Sequence, residues 1–384
     1  MRVSVLRILC ALCMTLGGSM WARAADETVD ESISCYANTV SNNAAIEADA
    51  ADSITIGDGC DDCDDDCDCG PLWTIRGGAV VMRKESPARR TLFTNAAGTV
   101  ELMNAGGFDY GSAGGVDFSA IRSLSNGRAV EVRYFGINDW SASQSVTATG
   151  NFITGGFRLV PFPLLLAEPA GLLGTSTTTL NATSETNLQN VEFNLRRNTN
   201  DWLTILGGVR VAEVNENLTA TGVVVRQDFP AIPPIIPPIN QPDQSVALGI
   251  NCNNHLYGFQ VGAEAKLIQR SIVSLEANAK IGIYYNRADV DAYYTRLGFP
   301  GIPDLTAVDR DDHVSFIGEM GVVGAVQLTQ RLSARVGYQL LWIDGIAIAS
   351  DQPTTLGNFT ATPAINMGGT AFYHGATANL EYSF

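Results

Sequence analysis

The stretch "SIVSLEANAKIGIYYN", Ser271 to Asn286, decides the fold class of this chain. Val273, Leu275, Ala277, Ala279, Ile281, Ile283 and Tyr285 share one parity; Ser274, Glu276, Asn278, Lys280 and Gly282 share the other. A helix would scatter both sets around its circumference, whereas a strand sends them to opposite faces. The segment is a strand, and it is longer than the roughly 5–6 residues usual in soluble sheets.

The same alternation recurs along the chain. Tyr257, Phe259, Val261, Ala263, Ala265 and Leu267 oppose Gln260, Glu264 and Lys266; Val314, Phe316, Met320 and Val322 oppose Ser315 and Glu319. Ala334, Val336, Tyr338, Leu340 and Trp342 oppose Arg335 and Gln339. Weaker versions lie near Trp73–Met82, Val116–Arg122, Val130–Phe135, Val191–Arg196, Leu203–Ala212 and Phe372–Phe384, which makes ten strands. Tight turns are expected at Ser125-Asn126-Gly127, Asn198-Thr199-Asn200, Gln269-Arg270 and Thr329-Gln330. They alternate with long connections over 84–113, 141–184, 215–252, 288–311 and 347–370.

Short turns on one side, long loops on the other and an even strand number describe an outer-membrane barrel. Aromatic residues support the assignment. Trp73, Trp202, Tyr382 and Phe384 fall near the periplasmic ends, and Trp140, Tyr257, Tyr285, Trp342 and Phe372 near the outer ends, as two interfacial girdles. A soluble β-sandwich also alternates apolar and polar residues, but with shorter strands and no such alternation of loop lengths.

Three regions follow. Residues 1–24 have a basic start, an apolar run from Ile8 to Met20 and an Ala22-Arg23-Ala24 site, the marks of a secretory signal peptide. Residues 25–70 hold fourteen Asp and Glu and no Lys or Arg, an acidic Cys/Asp-rich periplasmic tail. Residues 71–384 are the barrel, with 26 acids and 21 bases. The formal net charge of −16 therefore belongs mostly to the tail. With no basic stripe, nucleic acid is excluded as a partner. The fold expected is all-β: a transmembrane antiparallel β-barrel of ten strands with a disordered acidic N-terminal tail.

Two resemblances add to this reading. "ATANLEYSF" sets Leu380, Tyr382 and Phe384 on one face and closes on an aromatic residue, and it resembles the assembly signal of outer-membrane proteins. That implies the barrel-assembly machinery as a partner, beside outer-membrane lipid. "WTIRGGAVVMRK", "GGVDFSAIR", "VEVRYFGINDWS", "VEFNLRRNTNDWLTILGGVRVAEVNE", "NHLYGFQVGAEAKL", "VGYQLLWIDGIAIASDQ" and "YHGATANLEYSF" together resemble the beta-barrel porin family numbered seven of planctomycete-type bacteria. The resemblance spans 71–384 and implies a porin-like outer-membrane barrel. It brings no catalytic residue and no cofactor.

If the apolar parity meets lipid, the other lines the lumen. That set contains the acids Asp117, Glu131, Glu192, Glu264, Glu276, Glu319 and Glu381, and the bases Arg76, Arg133, Arg196, Arg210, Lys266, Lys280 and Arg335. Gln260, Asn278, Gln339 and Asn379 add neutral polar groups. About eight strands leave an interior that side chains fill, whereas about 16–18 leave a channel, so ten lie near the filled end. Balanced charges there should pair, since an unpaired buried charge is costly.

The expected function is a narrow passive diffusion pore for small hydrophilic solutes. The alternatives are a sealed structural barrel acting through its tail or outer loops and, remotely, a rim protease using Asp311-Asp312-His313. No enzyme is expected, because that triplet lacks evident partner acids across the mouth. His255, His313 and His374 fall two strands apart, too far to share a metal at about 4.8 Å per strand. The outer loops carry apolar, proline-rich runs at Val160–Gly174 and Phe229–Pro242.

The tail ends in "CDDCDDDCDCG", Cys60 to Gly70. Cys60, Cys63, Cys67 and Cys69 do not have zinc spacing, and an oxidising compartment makes them disulfide candidates. The aspartates would suit calcium, but the glycine and glutamate of an EF-hand loop are missing. An acidic tether ranks first, a disulfide-stapled or cross-linked form second and loose Ca2+ binding third. Homo-oligomerisation and a periplasmic or cell-wall contact through the tail stay open.

Overall fold

The computed structural model describes residues 71–95, 99–149, 152–154, 177–225, 244–297, 305–354 and 365–384. The segment expected to be a signal peptide, the acidic stretch with Cys60, Cys63, Cys67 and Cys69, and both proline-rich loop runs lie outside the described residues.

The strands are β1 (Trp73–Lys84), β2 (Thr91–Asn95), β3 (Glu101–Asn104), β4 (Ser112–Leu124), β5 (Arg128–Thr149) and β6 (Phe152–Thr154). They continue with β7 (Thr177–Asn200), β8 (Leu203–Val225), β9 (Gln244–Arg270) and β10 (Val273–Leu297). β11 (Leu305–Gln327), β12 (Leu332–Ile346) and β13 (Gly369–Ser383) complete the set. Ten of them close a barrel in the order β1-β13-β12-β11-β10-β9-β8-β7-β5-β4, and β3-β2-β6 form a separate small sheet. Closure runs from Thr74↔Ser383 to Lys84↔Tyr373 and leaves no free edge at that level. Trp73 and Phe384 exchange backbone hydrogen bonds of 2.8 and 2.9 Å at the seam.

Four tight turns define one end, here the turn end. Asn126 and Gly127 have φ of 61° and 65°, the left-handed conformation a close β4–β5 hairpin demands. The next two turns fall later than expected. Asn200 pairs with Leu203 and Arg270 with Val273, so the tips are Asp201-Trp202 and Ser271-Ile272. Irregular pairing at Asn198/Asn200 and at Leu275/Glu276 absorbs the offset, which no period-two pattern reveals.

Above the turn end lies an apolar belt. Phe259, Val261, Ile281, Ile283, Met320, Val336 and Leu195 are each about three-fifths or more exposed on the outer face. No Asp, Glu, Lys or Arg occupies the outward parity between Arg122, Arg128 and Arg197 at the bottom of the belt and Arg83 at its top. A continuous apolar surface of this kind needs lipid tails against it. The chain is a transmembrane β-barrel.

The strands are longer than the expected connections allowed. β9 runs for 27 residues, where a membrane crossing takes about 9–11. β5 and β7 to β11 continue past the belt into 141–149, 177–184, 215–225, 244–252, 288–297 and 305–311. These stretches read as loops because their outward residues turn polar, although the alternation itself never stops. Beside them, β12 meets β11 only from Phe316↔Asp344, and β4 meets β5 only up to Gly115↔Ile137. A six-stranded open sheet therefore rises above the closed ring.

Its concave face is apolar. Leu180, Leu218, Val246, Leu248, Ile250 and Val290 pack in one cluster with Leu92, Phe93, Met103 and Phe108 from the β1–β4 connection and with Ile346, Ile348 and Met367. Burying each such side chain contributes roughly 1.5–3 kcal/mol. Trp140 belongs to this interior and not to the outer girdle. A bulge between Ile137 and Trp140, with Asp139 at φ 67°, moves it to the inner parity. There its Nε1 donates to the Met82 carbonyl at 2.8 Å and its ring packs against Tyr373.

Candidate functional site: the interior of the barrel

Strand parity delivers the charged residues to the lumen, and the barrel's curvature brings distant strands together. At the centre, Glu192 (β7) accepts hydrogen bonds from Arg210 (β8) at 2.8 Å, Lys280 (β10) at 2.8 Å and Gln260 (β9) at 2.8 Å. Asn190 and Asn194 each donate to it at 3.2 Å. Glu319 (β11) accepts from Arg133 (β5) at 2.6 Å and from Arg210 at 2.7 Å. Arg133 also reaches Asp117 (β4) at 3.1 Å. Three bases and three acids thus neutralise one another across the full width of the ring. Arg210, Glu192 and Glu319 are almost wholly buried.

A second layer lies nearer the turn end. Arg196 (β7) bridges Glu131 (β5) at 2.8 Å and Glu264 (β9) at 2.9 Å. Arg335 (β12) bridges Glu276 (β10) at 2.5 Å and Glu381 (β13) at 3.3 Å, and Arg76 (β1) meets Glu381 at 2.5 Å. Of the fourteen charged residues read as lumen-lining, Lys266 alone stays out of these networks. It is exposed at the turn-end mouth, where it lines a shallow vestibule of about 180 Å³ with Arg270 and Ser333. Asn379 donates to Asp117 at 3.3 Å and Arg133 donates to Gln339 at 3.4 Å. The free volume among the layers is a cavity of about 80 Å³, bordered by Asn278 among others and large enough for a few waters.

Above the ionic layers the lumen is stoppered. Near the end of β12, Gly345 takes φ 80° close to the Val314 carbonyl, and the chain folds inward instead of outward. Ile346, Ala347, Ile348 and Ala349 are buried. Asn254 clamps the backbone of Ala347, donating to its carbonyl and accepting from its N–H, both at 2.8 Å. Ser315 donates to the Gly345 carbonyl at 2.5 Å, and Glu216 accepts from the Ala349 N–H at 3.1 Å. The same Glu216 pairs with Lys84, whose Nζ also donates to Thr186 at 2.7 Å and sits 4.3 Å over the Tyr110 ring. A 3-10 turn over Ala349–Thr354 ends this stopper.

Lys84 and Glu216 were not among the lumen residues read from sequence. Both continue the inward parity of their strands, after Val80 and Met82 and after Ala212 and Val214, but the strands had been ended at 84 and 215. The stopper had a signal too. "GIAIAS" is an apolar run in a segment expected to face water.

Asp311, Asp312 and His313 are exposed along β11. Among the described residues no group of three or more His, Cys, Asp or Glu could hold a metal ion. His374 contacts Glu85 at 2.8 Å and Tyr338 at 2.5 Å. Tyr382 and Phe384, with Leu380 on the same face, stay exposed at the end of β13.

The fold and its interior define a ten-stranded membrane barrel with an ion-paired lumen. No family model and no curated protein matches the chain, so the likeness to porin family seven rests on the quoted motifs alone. Among solved structures it is similar to the outer membrane protease OmpT from Escherichia coli, at 10% identity and a TM-score of 0.42, covering 81% of this chain and 96% of that one. It is also similar to the Ralstonia pickettii toluene transporter TbuX, at 8% identity and a TM-score of 0.30, covering 82% and 90%. At such identities no residue role passes from those proteins to this chain.

Proposed function

We propose that this is an outer-membrane protein whose barrel is a closed anchor for the β-structure rising above it, and not an open pore. The observation that carries this reading is the central layer, in which Arg133, Arg210 and Lys280 span the ring to Asp117, Glu192 and Glu319. An ion entering there would have to displace buried partners from one another, and a further apolar stopper lies behind them. The turn end faces the periplasm, where the acidic tail ends two residues before β1, and the tall open sheet faces outward.

No catalytic role is proposed for Asp311, Asp312 or His313. The competing function is the narrow diffusion pore expected from sequence, which the vestibule and the small cavity would serve. Planar-bilayer recording on the full chain separates the two. The anchor reading expects no conductance steps at moderate voltage, and regular steps in the wild type would replace it with the pore.

A further inference from the structure

At the turn-end edge of the lipid-facing surface three arginines of neighbouring strands stand together. Arg128 on β5 and Arg197 on β7 stand directly opposite each other in register, both exposed and both on the outward parity. Arg122 on β4 occupies the diagonal position, because Leu124 pairs with Arg128 and Arg122 with Val130. Directly opposed like charges destabilise a sheet pair unless something of the other sign lies between them. No ion pair of these three arginines occurs among the described residues, although thirteen charged residues inside the same ring are all paired. Asp201, exposed in the β7–β8 turn, is the nearby acid on these strands.

The site also has the right depth. It borders the apolar belt at Phe193, Leu195 and Ile205, and the guanidinium of Arg122 lies 5.6 Å from the ring centre of Trp73, an interfacial aromatic. On the far side of the barrel Leu267, Val273, Val326 and Tyr382 are exposed near the turn end, where the exposed bases are Arg270, opposite Val273, and Arg331 in the β11–β12 turn. What sets this site apart is a directly opposed pair of arginines with a third diagonal to it, on three neighbouring strands.

We infer that Arg122, Arg128 and Arg197 bind the phosphodiester headgroup of an anionic glycerophospholipid in the leaflet at the turn end. Guanidinium forks match phosphate oxygens in pairs, and a phosphate between Arg128 and Arg197 removes their repulsion. The acyl chains then lie along Leu195 and Phe193. This rests on the membrane reading above and adds a lipid class and a place.

The test uses the full chain in lipid discs of phosphatidylcholine doped with spin-labelled phosphatidylglycerol or spin-labelled phosphatidylcholine. The motionally restricted fraction should favour phosphatidylglycerol. Each of Arg128→Gln and Arg197→Gln should lower the preference by roughly fivefold, given about 1 kcal/mol per basic residue near an anionic surface. Arg128→Lys, which keeps charge without the fork, should fall between. Equal association of both lipids with the wild type overturns the proposal, as does a preference unchanged in the double Gln variant. Displacement of the lipid by millimolar inorganic phosphate would mark a soluble-anion site and overturn it as well. A preference that emerges only when Asp61, Asp62, Asp64, Asp65, Asp66 and Asp68 are changed to Asn assigns the arginines to the tail instead. Failure of the chain to remain in the discs would count against the membrane reading, a different result from insertion without lipid preference.

Discussion

Val209 and Asn217 lie on the same face of β8, yet one faces an apolar belt and the other a polar surface. The inward positions of the strand change in the opposite sense, from Arg210 to Val214 and Leu218. Below this level the barrel is polar inside and apolar outside; above it the open sheet is apolar inside and polar outside. β8 neither ends nor slips in parity at the crossing. The two halves are one backbone adapted to two solvents, since each face takes the chemistry of what it touches. The lower half encloses charges that must neutralise one another. The upper half behaves as half of a soluble sandwich whose other layer is supplied by β2, β3 and the stopper.

The comparison breaks first, and hardest, at Glu192. Glu192→Ala takes from Lys280 its hydrogen-bonded carboxylate and from Arg210 one of its two, and should cost roughly 3–5 kcal/mol, read by urea unfolding in lipid vesicles. The upper half offers the contrast. Lys84→Met alone strands Glu216 in an apolar core and should cost a similar amount, of the order of 3 kcal/mol. The pair Lys84→Met with Glu216→Leu should recover most of it, because the surroundings can accept apolar side chains. A double variant no more stable than Lys84→Met would mean that the upper core needs its charges as the lumen does.

Smaller effects locate the boundary. Val209→Arg puts a charge among lipid tails and should cost roughly 2–4 kcal/mol if near mid-bilayer. Asn217→Arg, on the same face of the same strand, should stay within about 0.5 kcal/mol of the wild type. Equal costs at the two positions would erase the two-solvent division. The gentlest probe is Cys252, buried on the concave face of the upper sheet. Burial pushes its thiol well up, and the charges of Glu216, Asp291 and Asp351 add to this, so little thiolate forms. With the tail cysteines changed to Ser, iodoacetamide should label it slowly in the folded protein. Raising the pH from about 8 to about 9.5 should then speed labelling of the urea-unfolded chain far more than that of the folded one.

Much of the lower half was readable because its signal is local. Each strand shows its two faces within a few residues, so strand number, parity and thirteen of the fourteen lumen charges emerge from spacing alone. Lys266, opposite Glu276 in register, lines the mouth below the ion-paired layers. The upper half was misread as loops for a physical reason. Outside the membrane a strand's outer face is polar and its inner face carries small residues such as Ala212, Ala220, Ala288 and Ala292, so the apolar contrast weakens while the period persists. Trp140 was lost to a single bulge.

By itself the amino-acid sequence determined the class of fold, the number of membrane strands and the set of charges pointing inward, because period two needs only neighbours along the chain. Tertiary structure decided which charge meets which. Arg133 and Glu319 are 186 residues apart in sequence, and only closure of β1 on β13 places β5 across from β11. It also decided that the chain after Ile346 turns inward as a stopper, since that depends on Asn254, Ser315 and Glu216 arriving from three other strands. Pairing and filling are properties of the closed ring, and a ring exists only when distant strands have found their register.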